Sequence, residues 1–267
     1  MKLSFNSCAI AQFMAKANSC PRDNSRHRVS INVRRTINGV SQFISTKRRI
    51  IMEAYKREFI EFLQNAGVLK FGDFTAKSGR KIPYFINAGE IKTGENIAKL
   101  GEFYAKAYFD KIGKKQTALY GPAYKGISIA VSTSIALFKG GLNLPFFFNR
   151  KEAKDHGEGG VFVGYKPQAG EEVVIVEDVI TAGTAIRETM EIMKSVEGIK
   201  VAACFVMVDR KEKGKGEKGA MVEIEEEFGF PVYSVVDVYD IIEYLSEDES
   251  NKENVDRIKN YLTVYGA

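Results

Sequence analysis

Two adjacent carboxylates, Glu177 and Asp178, follow directly on the apolar run Val173-Val174-Ile175-Val176 and precede a small-residue turn through Thr181, Ala182 and Gly183 to Thr184. The apolar run reads as a buried strand. The turn opens a helix near Thr184, whose free N–H groups and positive dipole end can hold a phosphate. Carboxylates beside a phosphate cradle would repel that ligand on their own. Their presence makes sense if they face sugar hydroxyls or a hydrated Mg²⁺ while Thr181 to Thr184 wrap the phosphate with amides and hydroxyls. The alternative is an acidic N-terminal cap on an ordinary helix.

A second concentration of charge is Arg150, Lys151, Lys154 and His156, spread through a polar, glycine-containing stretch that ends at Gly160. Four potential cations in one loop are costly to a fold and useful to an anion; the alternative is a solvated basic loop. His156 alone says little, because a lone histidine is usually structural. Arg210, in Val208-Asp209-Arg210 directly after a strand-like run, offers a planar cationic fork that suits a carboxylate, or is a rim arginine paired with Asp209. Cys204 lies inside the apolar run 201–208 and is expected to be a buried structural thiol, since reactive thiols need an accessible, electropositive setting. With Cys8 and Cys20 it makes no C-x-x-C and no disulfide framework, which fits a reducing compartment.

The elements that must position these groups begin at Met52. Phe59, Phe62, Leu63 and Ala66 fall at helical spacing and Gly67 closes the segment. A turn-rich passage at 75–81 leads to a short strand at 84–87, then to a helix in which Ile97, Leu100, Tyr104 and Tyr108 share a face. Strands are expected at 117–120, 144–148, 173–176, 201–208 and 232–236, with a long polar loop after residue 148 and terminal helices at 241–245 and 255–262. Short apolar strands alternating with helices predict an α/β fold: a central, mainly parallel β-sheet flanked by helices, with ligands at the carboxyl ends of the strands. The Lys/Gly/Glu run at 211–219 reads as a solvated connection. It holds a literal G-x-G-x-x-G at Gly214, Gly216 and Gly219, but a dinucleotide fingerprint starts at a strand's end, and here Asp209 to Lys213 intervene.

The chain has 267 residues, 45% of them hydrophobic, and a net charge of +5. Up to Ile51 ten basic residues face one acid, Asp23, giving +9 and leaving −4 for the remainder. A mildly acidic body with a basic appendage is not a basic groove, so no nucleic-acid partner is expected. No stretch reaches the roughly 18 uninterrupted apolar residues of a membrane span, so no membrane partner is expected and a cytoplasmic location is. Residues 1–51 are a mis-called start ahead of Met52, an organellar presequence or a disordered basic arm, and stand apart from the fold of residues 52–267.

Residues 173–185 resemble the phosphoribosyl pyrophosphate (PRPP) motif of type I phosphoribosyltransferases. With residues 148–160, with Gly121-Pro122-Ala123-Tyr124-Lys125-Gly126, and with Phe71-Gly72 through Asn87-Ala88-Gly89, the body from Met52 to about Leu245 is similar to orotate phosphoribosyltransferases of the bacterial type. The resemblance implies the type I phosphoribosyltransferase fold with a small N-terminal hood and a flexible catalytic loop. It implies transfer of ribose 5-phosphate from PRPP to orotate, giving orotidine 5'-monophosphate and pyrophosphate in pyrimidine biosynthesis. Mg²⁺ would be held mainly through PRPP and water, with no direct protein ligand.

For PRPP the resemblance implies Lys77, Tyr124, Lys125, Arg150, Lys151, Lys154 and His156, together with Glu177, Asp178, Val179, Ile180, Thr181, Ala182, Gly183, Thr184 and Ala185. Of these, Lys154, Glu177 and Asp178 would be catalytic. Lys125, in its Gly-flanked turn, suits pyrophosphate through backbone and ammonium groups. For orotate it implies Phe85, Ile86, Thr181 and Arg210. Ile86 departs from the pair of aromatics in close relatives and would weaken stacking without changing the reaction class. The loop would close over pyrophosphate with Lys154 reaching into the neighbouring subunit, so a homodimer follows. N1 of orotate would attack the anomeric carbon as pyrophosphate leaves, with no covalent enzyme nucleophile. A regulatory relative that keeps the PRPP fold would be expected to lack the cationic loop, and a purine or uracil enzyme is disfavoured by residues 150–156 and Arg210.

Overall fold

The computed structural model describes residues 52–267 except 77–78, 155–159, 182 and 215, with backbone alone at 152–154 and 160. The readings offered for residues 1–51 and the flexibility expected of the cationic loop lie outside the described residues.

The first helix, α1 (Ala54–Asn65), buries Phe59, Ile60, Phe62 and Leu63 along one stripe and ends where the Ala66 N–H donates to the Phe62 carbonyl. Two strands follow, β1 (Leu69–Thr75) and β2 (Lys81–Ile86), paired antiparallel with Leu69 opposite Ile86 and a register shift between Phe71 and Phe74. They form a separate two-stranded sheet, the expected hood. The strand expected at 84–87 thus starts earlier, and β1 has no counterpart in the sequence reading. Gly72 and Asp73 disguise its alternation, and it exists because pairing with β2 lets Leu69, Ile82 and Tyr84 be buried together. Helix α2 (Gly94–Lys111) is capped by Thr93, whose hydroxyl accepts from the Asn96 N–H, and turns Leu100, Tyr104 and Tyr108 inward as expected.

The main sheet has six strands in the order β5-β4-β3-β6-β7-β8. They are β3 (Ala118–Gly121), β4 (Phe146–Lys154), β5 (Gly160–Gly164), β6 (Glu172–Val176), β7 (Lys200–Asp209) and β8 (Val232–Asp237). All neighbours run parallel except β5, which returns antiparallel on β4 at the edge. Helices α3 (Lys125–Lys139), α4 (Thr184–Met193), α5 (Ala220–Phe228), α6 (Val238–Leu245) and α7 (Lys252–Tyr265) complete the layers. Alternation along β6 shows why both faces are dry. Val174 and Val176 enter the cluster that holds α1, α2, α3, α6 and α7, whereas Val173 and Ile175 enter the one that holds α4 and α5.

One expectation is corrected here. The polar loop placed after residue 148 is in large part strand, since β4 runs on to Lys154 past the end of its pairing with β3 at Phe148, so Arg150 and Lys151 lie where β4 has only β5 as a neighbour. Beyond the end of β3 that side of β4 is unpaired and therefore accommodates charged residues that a strand paired on both sides could not. Cys204 is fully buried in β7, and burial pushes its thiol well up, which fits a structural thiol. Among the described residues no helix is long and apolar enough to cross a membrane.

Candidate active site

At the carboxyl end of β6 the chain leaves the sheet with Glu177 and Asp178 both buried. Their backbone is held before their side chains do anything. The Glu177 N–H donates to the Phe205 carbonyl and the Asp178 carbonyl accepts from the Met207 N–H, each at 2.9 Å, and the Tyr104 hydroxyl donates to the Glu177 carbonyl at 2.6 Å. Side chains then cap the turn: Glu177 Oε1 accepts from the Asp178 N–H and Asp178 Oδ1 from the Val179 N–H, both at 2.9 Å. Burial pushes the Glu177 carboxyl up from 4.5 to about 8, and the neighbouring Asp178 charge adds to the rise. The Lys125 ammonium, at the start of α3, lies 2.6 Å from Asp178 Oδ2.

The turn then passes Gly183 in the left-handed conformation, φ 71°, into the first turn of α4 at Thr184. A side chain at Gly183 would put its Cβ 2.8 Å from Ile224 Cδ1, so both the backbone conformation and the space demand glycine. Glu177, Val179, Ile180, Thr181, Gly183, Thr184 and Ala185 line a cavity of about 240 Å³ here, open to the N–H groups of α4.

A second cavity, about 220 Å³, lies beyond the same turn, and Ile180 and Thr181 line both. Its other walls include Arg210 from the end of β7, Arg80 from the hood and Tyr261 from α7. Arg210 does not pair with Asp209, which holds Lys211 instead at 2.7 Å; its Nη2 meets Glu212 Oε1 at 2.6 Å. Lys211 itself takes φ 50°, and its N–H donates to Asp209 Oδ1. That turns the chain so that the carboxylate two residues beyond Arg210 faces back to it. Glu212 also accepts from the Tyr84 hydroxyl at 3.2 Å and lies 3.5 Å from Arg80 Nη1, and the Arg210 guanidinium sits 5.4 Å from the centre of the Tyr84 ring. Arg210 Nε is buried and has no hydrogen-bond partner among the described residues.

Residues 216–218 are exposed, as expected of a solvated connection between β7 and α5, but residues 211–214 are half-buried and are not. Glu212, Lys213 and Gly214 line the second cavity, Glu212 bridges to Gly266, and the Ala267 N–H donates to the Lys211 carbonyl. Charge in a low-complexity run hid a carboxylate whose partners come from distant segments.

The expected base contacts divide. Thr181 and Arg210 share the second cavity; Phe85 and Ile86 are not among its lining residues. Phe85 is half exposed and stacks on Phe74 with ring centres 5.4 Å apart, and Ile86 packs against the main core. Tyr124 is exposed beside Lys125, with the Lys151 ammonium 5.0 Å from its ring centre, and Arg150 Nη1 donates to the Phe162 carbonyl at 3.4 Å. Lys154 ends β4. Lys77, His156 and Ala182 lie outside the described residues. Arg80, Glu212 and Tyr261 were missed by the sequence reading. Arg80 sits in the same turn as Lys77 and offered that much of a signal; nothing marks Tyr261 among the apolar positions of a terminal helix.

The arrangement can hold a phosphorylated sugar in the first cavity and a planar anion in the second, with their facing ends meeting over Ile180 and Thr181. Residues 87–236 match the phosphoribosyl transferase domain. The chain is 47% identical over 223 residues to the orotate phosphoribosyltransferase of Clostridium acetobutylicum, covering 81% of this chain and all of that protein. It is 51% identical over 216 residues to that of Vibrio cholerae, covering 80% of this chain and all of that protein. The crystal structure of the Francisella tularensis orotate phosphoribosyltransferase superimposes with a TM-score of 0.70 at 39% identity, covering 79% of this chain and all of that one. A Mycobacterium tuberculosis orotate phosphoribosyltransferase in complex with PRPP shares the fold at 22% identity, with a TM-score of 0.52 over 70% of this chain and 98% of that one.

Proposed function

Because this chain belongs to the orotate phosphoribosyltransferases, within the phosphoribosyl transferase domain family, we propose that its two cavities divide one reaction between them, PRPP in the first and orotate in the second. The observation that carries this division is the shared wall: Ile180 and Thr181 face both cavities, so a sugar held on one side presents its anomeric carbon to a base held on the other.

In this reading the 5-phosphate takes the N–H groups and hydroxyls of residues 181–185. Glu177 and Asp178 take the ribose hydroxyls. With its carboxyl raised to about 8, Glu177 keeps its proton at neutral pH and can donate to a hydroxyl oxygen as well as accept from one. Lys125 leaves Asp178 to meet the diphosphate, joined by Arg150, Lys151, Lys154 and His156, and Lys77 adds a further cation. Arg210, already held on one side by Glu212, receives the orotate carboxylate. Transfer is a displacement in which alignment and charge stabilisation of the leaving pyrophosphate supply the rate, and no side chain forms a covalent bond.

Mg²⁺ fits the donor set as a guest of the substrate: the described residues offer Asp178 and the adjacent carboxyl of Glu177 but no group of three ligands. When bound it would neutralise diphosphate charge. A homodimer in which Lys154 serves the neighbouring site completes the reading. An apolar face suited to self-association runs along α3, where Ile135 and Phe138 are exposed beside a groove lined by Ile97, Val131 and Ala136. Residues 52–267 are the working unit, in the cytoplasm, and residues 1–51 an appendage outside it.

The protein should be incubated with PRPP, Mg²⁺ and, separately, orotate, uracil, adenine and hypoxanthine, following nucleotide and pyrophosphate. Turnover with orotate alone is expected; turnover with another base overturns the assignment of the second cavity. For the shared site, Lys154→Ala and Arg210→Ala variants, each inactive alone, are mixed. Random re-pairing should restore about a quarter of wild-type activity, and no restoration would place both residues in one subunit's site.

A further inference from the structure

We propose that Asn149 is a positioning residue for the diphosphate end of the substrate, its carboxamide tying the loop that carries Lys125 to the strand that carries Arg150 and Lys151. This rests on reading residues 121–126 as the loop that receives pyrophosphate.

Asn149 lies on β4, opposite Phe162 of β5. Its Oδ1 accepts twice, from the Tyr120 hydroxyl at 2.8 Å and from the Ala123 N–H at 2.9 Å. The first donor is fixed. Tyr120 is fully buried in β3, its ring packed on Phe147 and Phe162 with centres 5.0 and 6.2 Å away. The second donor is the backbone of the loop itself. That loop is tight at its base, where a Cβ on Gly121 would stand 2.1 Å from the Gly126 carbonyl oxygen. At its apex it is open, with Tyr124 69% exposed. One side-chain oxygen thus joins an immobile phenol of the core to the N–H next to the exposed apex, two residues before Lys125.

The residue type matters as much as the place. Two N–H or O–H donors converge on one acceptor, and a carboxylate would serve them at least as well. A carboxylate there would also bring negative charge to the rim of a diphosphate site. A carboxamide accepts both bonds and adds none. Asn149 therefore sets where the loop N–H groups and the Lys125 ammonium stand before substrate arrives, and keeps them in step with β4, without touching substrate.

The test compares steady-state constants of Asn149→Ala, Asn149→Asp and Lys125→Ala with wild type, alongside melting temperature. Asn149→Ala should raise the KM for PRPP, and for pyrophosphate in the reverse direction, roughly tenfold, leaving the KM for orotate within about twofold and the melting curve cooperative. Asn149→Asp keeps both hydrogen bonds, so it guards against a variant that fails to fold, and should raise the same two constants more steeply at low salt. An unchanged KM for PRPP in a folded Asn149→Ala, or in Asn149→Asp, refutes the proposal. If Lys125→Ala leaves the KM for PRPP unchanged, the reading of the loop fails and the proposal falls with it; if Lys125→Ala raises it and the Asn149 variants do not, the proposal alone fails.

Discussion

Replacing Glu177 by glutamine should make the substrate-free protein more stable while disabling it. The Glu177 side chain is buried, and burial lifts its carboxyl from 4.5 to about 8, so the charged form is what the fold resists. Folded and unfolded chains both hold the proton below about pH 4.5. Between there and pH 8 only the folded chain does, and the stability that this proton contributes is lost as pH rises through the folded value. Each pH unit of separation is worth about 1.4 kcal/mol, so the limit is on the order of 5 kcal/mol near pH 9. Lys125 and local water offset part of that, and we expect roughly 2 kcal/mol in practice. Glutamine keeps an oxygen for the Asp178 N–H and carries no charge. The melting temperature of Glu177→Gln minus that of wild type should be near zero at pH 5 and rise to about 4–8 °C at pH 9. The assay is a melting series from pH 5 to 9 without Mg²⁺ or PRPP. A difference that stays flat, or falls with pH, would refute burial as the cause of the raised value. Under saturating orotate the same variant should lose at least about tenfold in kcat/KM for PRPP, the usual cost of relieving a strained functional site.

Two other substitutions separate the cavities. Arg210→Lys replaces a planar fork by a point charge and gives up the guanidinium contact to Glu212 and the stacking on the Tyr84 ring, so the KM for orotate should rise by about a hundredfold with that for PRPP moving far less; parallel rises in both would mean that the second cavity is not the base site. Gly183→Ala forces a left-handed φ of 71° on a residue whose Cβ meets Ile224 at 2.8 Å. It should cost about 1–3 kcal/mol and weaken PRPP binding, and a variant with wild-type melting temperature and KM for PRPP would show that the turn is not built as described.

The segment proposed for phosphate and ribose was legible because it is local: a strand, two carboxylates at its end and a helix opening at Thr184 fall within a dozen positions, where the sequence placed them. The mainly parallel sheet was legible for the same reason, its strands being short apolar runs between helices. What could not be read depends on pairing at a distance. β1 is a strand through its partner β2, and the part of β4 that carries Arg150 is a strand through β5, although both look polar in isolation. The arginine pocket is the clearest case. Its wall draws on Arg80, Glu212 and Tyr261, and the partner of Arg210 is two residues away only because Lys211 adopts a positive φ that no periodicity announces. Phe85 and Ile86 were assigned to the base by similarity of sequence alone, and they stand on the hood outside the cavity that holds Arg210.

Glu212 gathers Tyr84 and Arg80 from the hood, Arg210 from the sheet and, through its backbone, Gly266 beyond α7. During synthesis the turn that opens α4 is already outside the ribosome while Tyr261 and Gly266 have not yet been translated. The cavity around Arg210 is therefore closed only once α7 has been made, because one of its walls, Tyr261, and the bridge that steadies Glu212, Gly266, come from that part of the chain.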